Sequence, residues 1–204
     1  MDFKPSRRAV VAKHVEAFIR EFFDQNPLSQ IGLVTIKDGV AHSLTELGGS
    51  PESHVKSLMG KLECSGESSI QNALDLVHGY LNQIPTYGHR EVIILYSALS
   101  TCDPGDLMET IHKCKKSKIR CSVIGLSAEI FICKHLCQET GGSYSVALDE
   151  VSLTSYLVLA IFFFFFAATV VAVTFSYMPS VLRHLRYFII IKNKKSFPVV
   201  IDNP

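Results

Sequence analysis

The chain has 204 residues, a net charge of +1, and a composition that is 48% hydrophobic and 19% charged. So much apolar side chain excludes a disordered protein, and the near-neutral charge excludes a general polyanion binder. Six Cys in this length do not make a small disulfide scaffold, and free thiols fit a reducing compartment.

The composition changes near Glu150. Residues 1–150 carry 15 Lys+Arg and 18 Asp+Glu, a net of −3, and all six Cys. Residues 151–204 carry 5 Lys+Arg and one Asp, a net of +4, and eight of the 13 Phe. The expected organisation is therefore a head over 1–150 and an apolar, Phe-rich tail over 151–204.

Alternating elements are predicted along the head. Ser6 caps a helix to about Asp24, with Val11, Val15, Phe18, Ile19 and Phe22 on one stripe. Ile31–Ile36 reads as a buried strand, Lys37-Asp38-Gly39 as a turn, and Ala41–Leu47 as a weaker strand near an edge. Ser50-Pro51-Glu52 opens a helix to about Leu62, and Gly66–Ser69 opens another carrying Ile70, Ala73, Leu74, Val77 and Leu81. Glu91–Tyr96 is the most convincing central strand. Asp103-Pro104 starts a helix ending in the basic run Lys113–Lys118. Ile119–Leu126 is a strand, Ser127 caps a helix to about Thr140, and Tyr144–Leu148 is a last strand. This alternation implies an α/β fold with a mostly parallel sheet and helices on both faces.

Leu157–Tyr177 is long and apolar enough to be a candidate transmembrane helix, followed by the cations Arg183, Arg186, Lys192, Lys194 and Lys195. Those cations would place the C-terminus in the cytoplasm. Tail composition, nearly devoid of acids, fits better with read-through of T- and A-rich non-coding sequence, and a soluble terminal helix is the third reading.

Motifs of common chemistries are missing. No G-x-x-x-x-G-K-[ST] occurs: Gly60-Lys61 has Val55 where the first Gly belongs. No G-x-G-x-x-G or G-x-S-x-G is present either, and no nucleophile–base arrangement suggests an enzyme. Cys133 and Cys137, with His135 between them, have i,i+4 spacing that could face zinc, but ordinary reduced thiols are the expectation. His14 and His54 read as satisfied or surface residues. Lys113, Lys115, Lys116, Lys118 and Arg120 form a candidate nucleic-acid patch without interleaved aromatics, so a solvated helix end is expected.

Several stretches resemble the von Willebrand A-type domain of the general transcription factor IIH subunit 2 family, over roughly residues 2–150. They are Glu21–Gly32 (EFFDQNPLSQIG), Leu44–Leu47, Arg90–Leu95, Thr101–Pro104, Lys118–Arg120, Ser122–Glu129 (SVIGLSAE) and Glu139–Gly142. The resemblance implies a von Willebrand A-like sheet, Rossmann-like in its winding. It also implies a first central strand with a D-x-S-x-S-like metal motif ahead of the opening helix. Met1–Arg7 matches the loop after that strand, so the strand is expected to be missing. Its two neighbours would be unpaired, and the head poorly stable unless another chain fills the slot. The family continues into cysteine-rich zinc modules, whereas this chain passes from Ala147–Glu150 into the Phe-rich tail.

At the implied metal site, Ser68 falls at a Ser/Thr ligand position and Ser97 replaces a carboxylate. No metal, no cofactor and no catalytic residue is expected. The resemblance implies a regulatory subunit that binds an XPD-type helicase and other core subunits in the nucleus, acting in transcription initiation and nucleotide excision repair. Nucleic-acid contact would be at most indirect. The alternatives are a membrane-anchored binding module held by 157–177, or an inactive truncated variant.

Overall fold

The structure is a computed structural model and describes residues 6–63, 65–84, 88–160 and 185–192. It opens with α1 (Arg7–Gln25), whose N-cap Ser6 accepts the Ala9 amide at 3.2 Å. The stripe Val11, Val15, Phe18, Ile19 and Phe22 is buried at 3% exposure or less. The helix stops at Asn26, because Pro27 disfavours a helical conformation at the residue before it.

Strands β1 (Gln30–Lys37) and β2 (Val40–Gly48) form an antiparallel hairpin. Its two-residue turn places Asp38 and Gly39 at φ of 50° and 77°, the positive values a tight Asp-Gly turn needs. Then follow α2 (Pro51–Lys61), α3 (Ile70–Asn82), β3 (His89–Tyr96), α4 (Leu107–Lys116), β4 (Ile119–Gly125), α5 (Phe131–Thr140) and β5 (Tyr144–Val146). Gly141 closes α5 in the left-handed conformation at φ 72°. A last strand, β6, spans Leu185–Lys192.

The six strands run in the order β2-β1-β6-β3-β4-β5. All neighbours except β1 and β2 are parallel. Parallel strands covered on both faces need apolar side chains on both, and β1, β3 and β4 are accordingly buried almost continuously. One core joins α1 and α2 to Ile31, Leu33, Ile93 and Leu95. The other joins α3, α4 and α5 to Val34, Ile36, Val92, Ile94 and Val123. The α/β architecture with helices on both faces is as the sequence implies.

The centre of the sheet departs from expectation. The slot expected to be empty between β1 and β3 holds β6, which is parallel to both. Phe188 and Ile190 enter one core, and Ile189 and Ile191 enter the other. A strand's side chains alternate between faces, so four consecutive apolar residues close both cores at once.

Of the apolar helix expected over 157–177, only residues 157–160 are described. Helical residues begin at 150 and are described to 160. Leu153 and Leu157 pack against α1, whereas Val151 and Leu159 lie 75% and 59% exposed. That is a two-sided helix lying on a core, with polar Ser152, Thr154 and Ser155 between the apolar positions. His14 and Glu150 pin it to α1 at 3.0 Å. Residues 161–177 of the candidate span, and Arg183, Lys194 and Lys195 beyond it, lie outside the described residues. Among the described residues no helix is long and apolar enough to cross a membrane. Arg186 and Lys192, read as cations flanking a span, are backbone partners of Gln30, Arg90 and Tyr96 in the sheet.

Candidate functional site

Ligand sites of doubly wound sheets lie beyond the carboxyl ends of the strands. Here that end gathers the loop after β3, the start of α3 and the loop after β4. The first three amides of α3 have no helical partners of their own, and each finds one locally. Ile70 N–H donates to Thr101 Oγ1 at 3.1 Å, Gln71 N–H to Asp103 Oδ1 at 2.8 Å, and Asn72 N–H to Ser69 Oγ at 3.0 Å. The Asp103 carboxylate also accepts the Ser69 hydroxyl and the Thr101 hydroxyl, both at 2.8 Å. A carboxylate at a helix N-terminus additionally gains from the helix dipole. The loop is further fixed by Cys102 N–H on Ser68 O at 2.7 Å and Gly105 N–H on Gln71 Oε1 at 2.8 Å.

Ser68 and Tyr96 complete the network below. The two hydroxyls share a hydrogen bond, and the Ser100 carbonyl, 2.9 Å from each, accepts the proton that bond leaves free. Burial pushes the Tyr96 phenol up to about 12, so it stays a neutral donor. Ser97 sits at the end of β3 with its carbonyl accepting the Ser127 hydroxyl at 2.9 Å; Arg7 donates to Ser127 Oγ at 3.0 Å.

This arrangement does not fit a divalent cation of the von Willebrand A type. Such an ion needs free oxygen lone pairs and several carboxylates. Here Ser69 Oγ and Thr101 Oγ1 already accept from the Asn72 and Ile70 amides, and the carboxylate of Asp103 is held by three donors. Among the described residues no group of three or more His, Cys, Asp or Glu could hold a metal ion. The network ties two loops to a helix start; it presents no reactive group.

The zinc spacing is likewise structural. Cys133 and Cys137 are 1% exposed under α5, and burial pushes both thiols up to about 12. A thiolate is the metal ligand and the nucleophile, and these stay protonated. His135 stacks on Phe131, with ring centroids 6.1 Å apart. His54 is buried between β2 and α2, beside a cleft of about 410 Å³ lined by Thr45, Gly48, Ser50 and Ser57. Its Nε2–H donates to Gly48 O at 3.1 Å, leaving Nδ1 to accept from the Thr45 hydroxyl at 2.8 Å. Burial holds this imidazole below its ordinary value, as a neutral strut.

The basic run is partly consumed by ion pairs. Lys113 pairs with Glu109 at 3.0 Å and Lys115 with Glu139 at 2.9 Å, while Arg120 donates to the Gly141 carbonyl at 2.8 Å and lies 3.6 Å from Glu91. Lys116 and Lys118 remain as exposed cations at the end of α4, too few for a phosphate-tracking stripe.

What this end of the sheet does present is apolar. Phe131, at the start of α5, is 77% exposed. Leu99 in the loop after β3 is 62% exposed, and Met108 in the first turn of α4 is 45% exposed. All three follow the carboxyl ends of β3 and β4, and Leu99 and Met108 flank the loop that the polar network ties to α3. Sequence reasoning missed them because it treated Asp103 and Ser127 as helix caps. The caps are instead Asp106 and the backbone at Ile130. That leaves the residues between strand and helix as structured loops, and Phe131 outside the apolar face of α5.

Residues 1–162 match the Ssl1-like family. The chain is 80% identical over 157 residues to "General transcription factor IIH subunit 2" of Arabidopsis thaliana, covering 77% of this chain and 37% of the relative. It is 39% identical over 153 residues to "General transcription and DNA repair factor IIH subunit ssl1" of Schizosaccharomyces pombe, covering 73% of this chain and 36% of the relative. The chain thus spans a little over a third of these relatives' lengths. Among solved structures, the von Willebrand factor type A protein from Catenulispora acidiphila superposes with a TM-score of 0.62 at 13% identity, over 76% of this chain and 38% of that one.

Proposed function

The chain belongs to the Ssl1-like family, and we propose that it is a non-catalytic protein-binding module of general transcription factor IIH. It docks an XPD-type helicase and other core subunits in the nucleus, in transcription initiation and nucleotide excision repair. The relatives' names, a general transcription factor and a DNA repair factor, support the setting. The single observation that carries the docking role is the exposed apolar set Leu99, Met108 and Phe131 beyond the carboxyl ends of β3 and β4. Interface energy concentrates in a few apolar or aromatic side chains seated on a fixed frame.

The test is calorimetric titration of the full chain with a purified XPD-type helicase. Phe131→Ala and Leu99→Ala are each expected to weaken binding roughly tenfold, about 1.4 kcal/mol, with unchanged circular dichroism. Undiminished affinity in the double variant, or no binding by the unmodified chain, overturns the reading.

A further inference from the structure

The family match ends at residue 162, yet the middle strand of the sheet is residues 185–192. We propose that the gap between β1 and β3 is a strand-binding site. It takes an extended, parallel, apolar segment of eight residues, and this chain loads it in cis with a separable strand.

The geometry of the gap defines the ligand. On one side, six residues of β1 from Gln30 to Thr35 register with Arg186–Ile191; on the other, eight residues of β3 from His89 to Tyr96 register with Leu185–Lys192. Phe188, Ile189, Ile190 and Ile191 are each 1% exposed or less. A specific hollow receives the Phe188 ring, which lies against Gly32 of β1 and stacks on Tyr80 of α3, centroids 5.5 Å apart. Both ladders of β6 run to segments far upstream, and among the described residues no hairpin ties it to a sequence neighbour. Such a strand is held laterally, as an added peptide strand is held in β-augmentation. Emptied of it, β1 and β3 would expose two unpaired edges and the apolar faces of Leu33, Val34, Ile93 and Ile94.

Four measurements on the full chain test this. Hydrogen exchange read by mass spectrometry should place the amides of 186–191 among the slowest; exchange at the rate of a free peptide overturns the proposal. Phe188→Asp should abolish the cooperative thermal transition, and an unchanged transition overturns it. A synthetic peptide of sequence LRYFIIIK, added to that variant, should restore the transition dose-dependently, while a scrambled peptide should not. If the Asp variant precipitates, Phe188→Ala gives the same reading as a lowered Tm that the peptide raises. Failure of the peptide to act on either variant overturns separability. Sedimentation as a dimer at micromolar concentration overturns loading in cis.

Discussion

Phe188 and Gly32 face each other across the β1–β6 ladder, and the ring fills the space a side chain at position 32 would need. A β-carbon added at Gly32 overlaps the ring outright. The ring has little freedom to yield, because it is fully buried and stacked on Tyr80. Gly32→Ala is therefore expected to cost about 2–3 kcal/mol by overpacking, and Phe188→Ala about 3–5 kcal/mol by leaving a cavity. The double variant should be less destabilised than the sum of the two by at least about 1 kcal/mol. Urea unfolding of the four proteins measures the coupling; strict additivity would mean the two residues do not meet.

Asp103 is expected to matter more than a loop residue ordinarily does. It accepts from Ser69, Gln71 and Thr101, so truncation removes three bonds to a charged acceptor and an anion at the α3 N-terminus. Asp103→Ala should destabilise by about 2–4 kcal/mol, and Asp103→Asn by less, since an amide oxygen still accepts. Amide exchange at Ile70–Asn72 should rise selectively, and unchanged protection there would remove the network's structural role.

Glu91 predicts a pH dependence. Its side chain is buried near the start of β3, and that burial raises its pKa to about 8, with Arg120 across the ladder opposing the shift. One of its oxygens, Oε2, has no hydrogen-bond partner among the described residues. The folded state binds a proton that the unfolded chain, titrating near 4.5, releases. Stability from this group is full below about pH 4.5 and is lost as pH rises to about 8, at no more than about 1.4 kcal/mol per pH unit. Glu91→Gln should flatten that limb and stabilise the protein at pH 8–9. A Tm profile between pH 5 and 9 identical in the two proteins would contradict the shift.

Much of the head was legible because its signals are local. The Asp38-Gly39 turn, the Ser6 cap, the Gly66–Ser69 helix start and the apolar stripes all act within a few residues, and each appears where its chemistry requires. Asp103 and Ser127 misled for the opposite reason. A short polar residue before an apolar run reads as a cap, but these two bond to groups about 30 residues away in sequence. The central strand was the largest miss. Phe188–Ile191 is a four-residue apolar, largely β-branched run between cations, which is itself a buried-strand signal. The much longer apolar run before it drew the reading toward a membrane helix, and periodicity carries no information on which distant slot a strand enters.

The order of synthesis inverts the order of assembly. β6 occupies the middle of the sheet but leaves the ribosome after every other described strand. From Val146, the end of β5, to Lys192 is 192 − 146 = 46 residues, roughly 2–9 s of elongation at ~5–20 residues per second. Throughout that interval the nascent chain lacks the strand that joins β1 to β3, and the facing edges of both have no partner in the sheet. Its need for a holding chaperone should peak in that window and fall once that strand is in place.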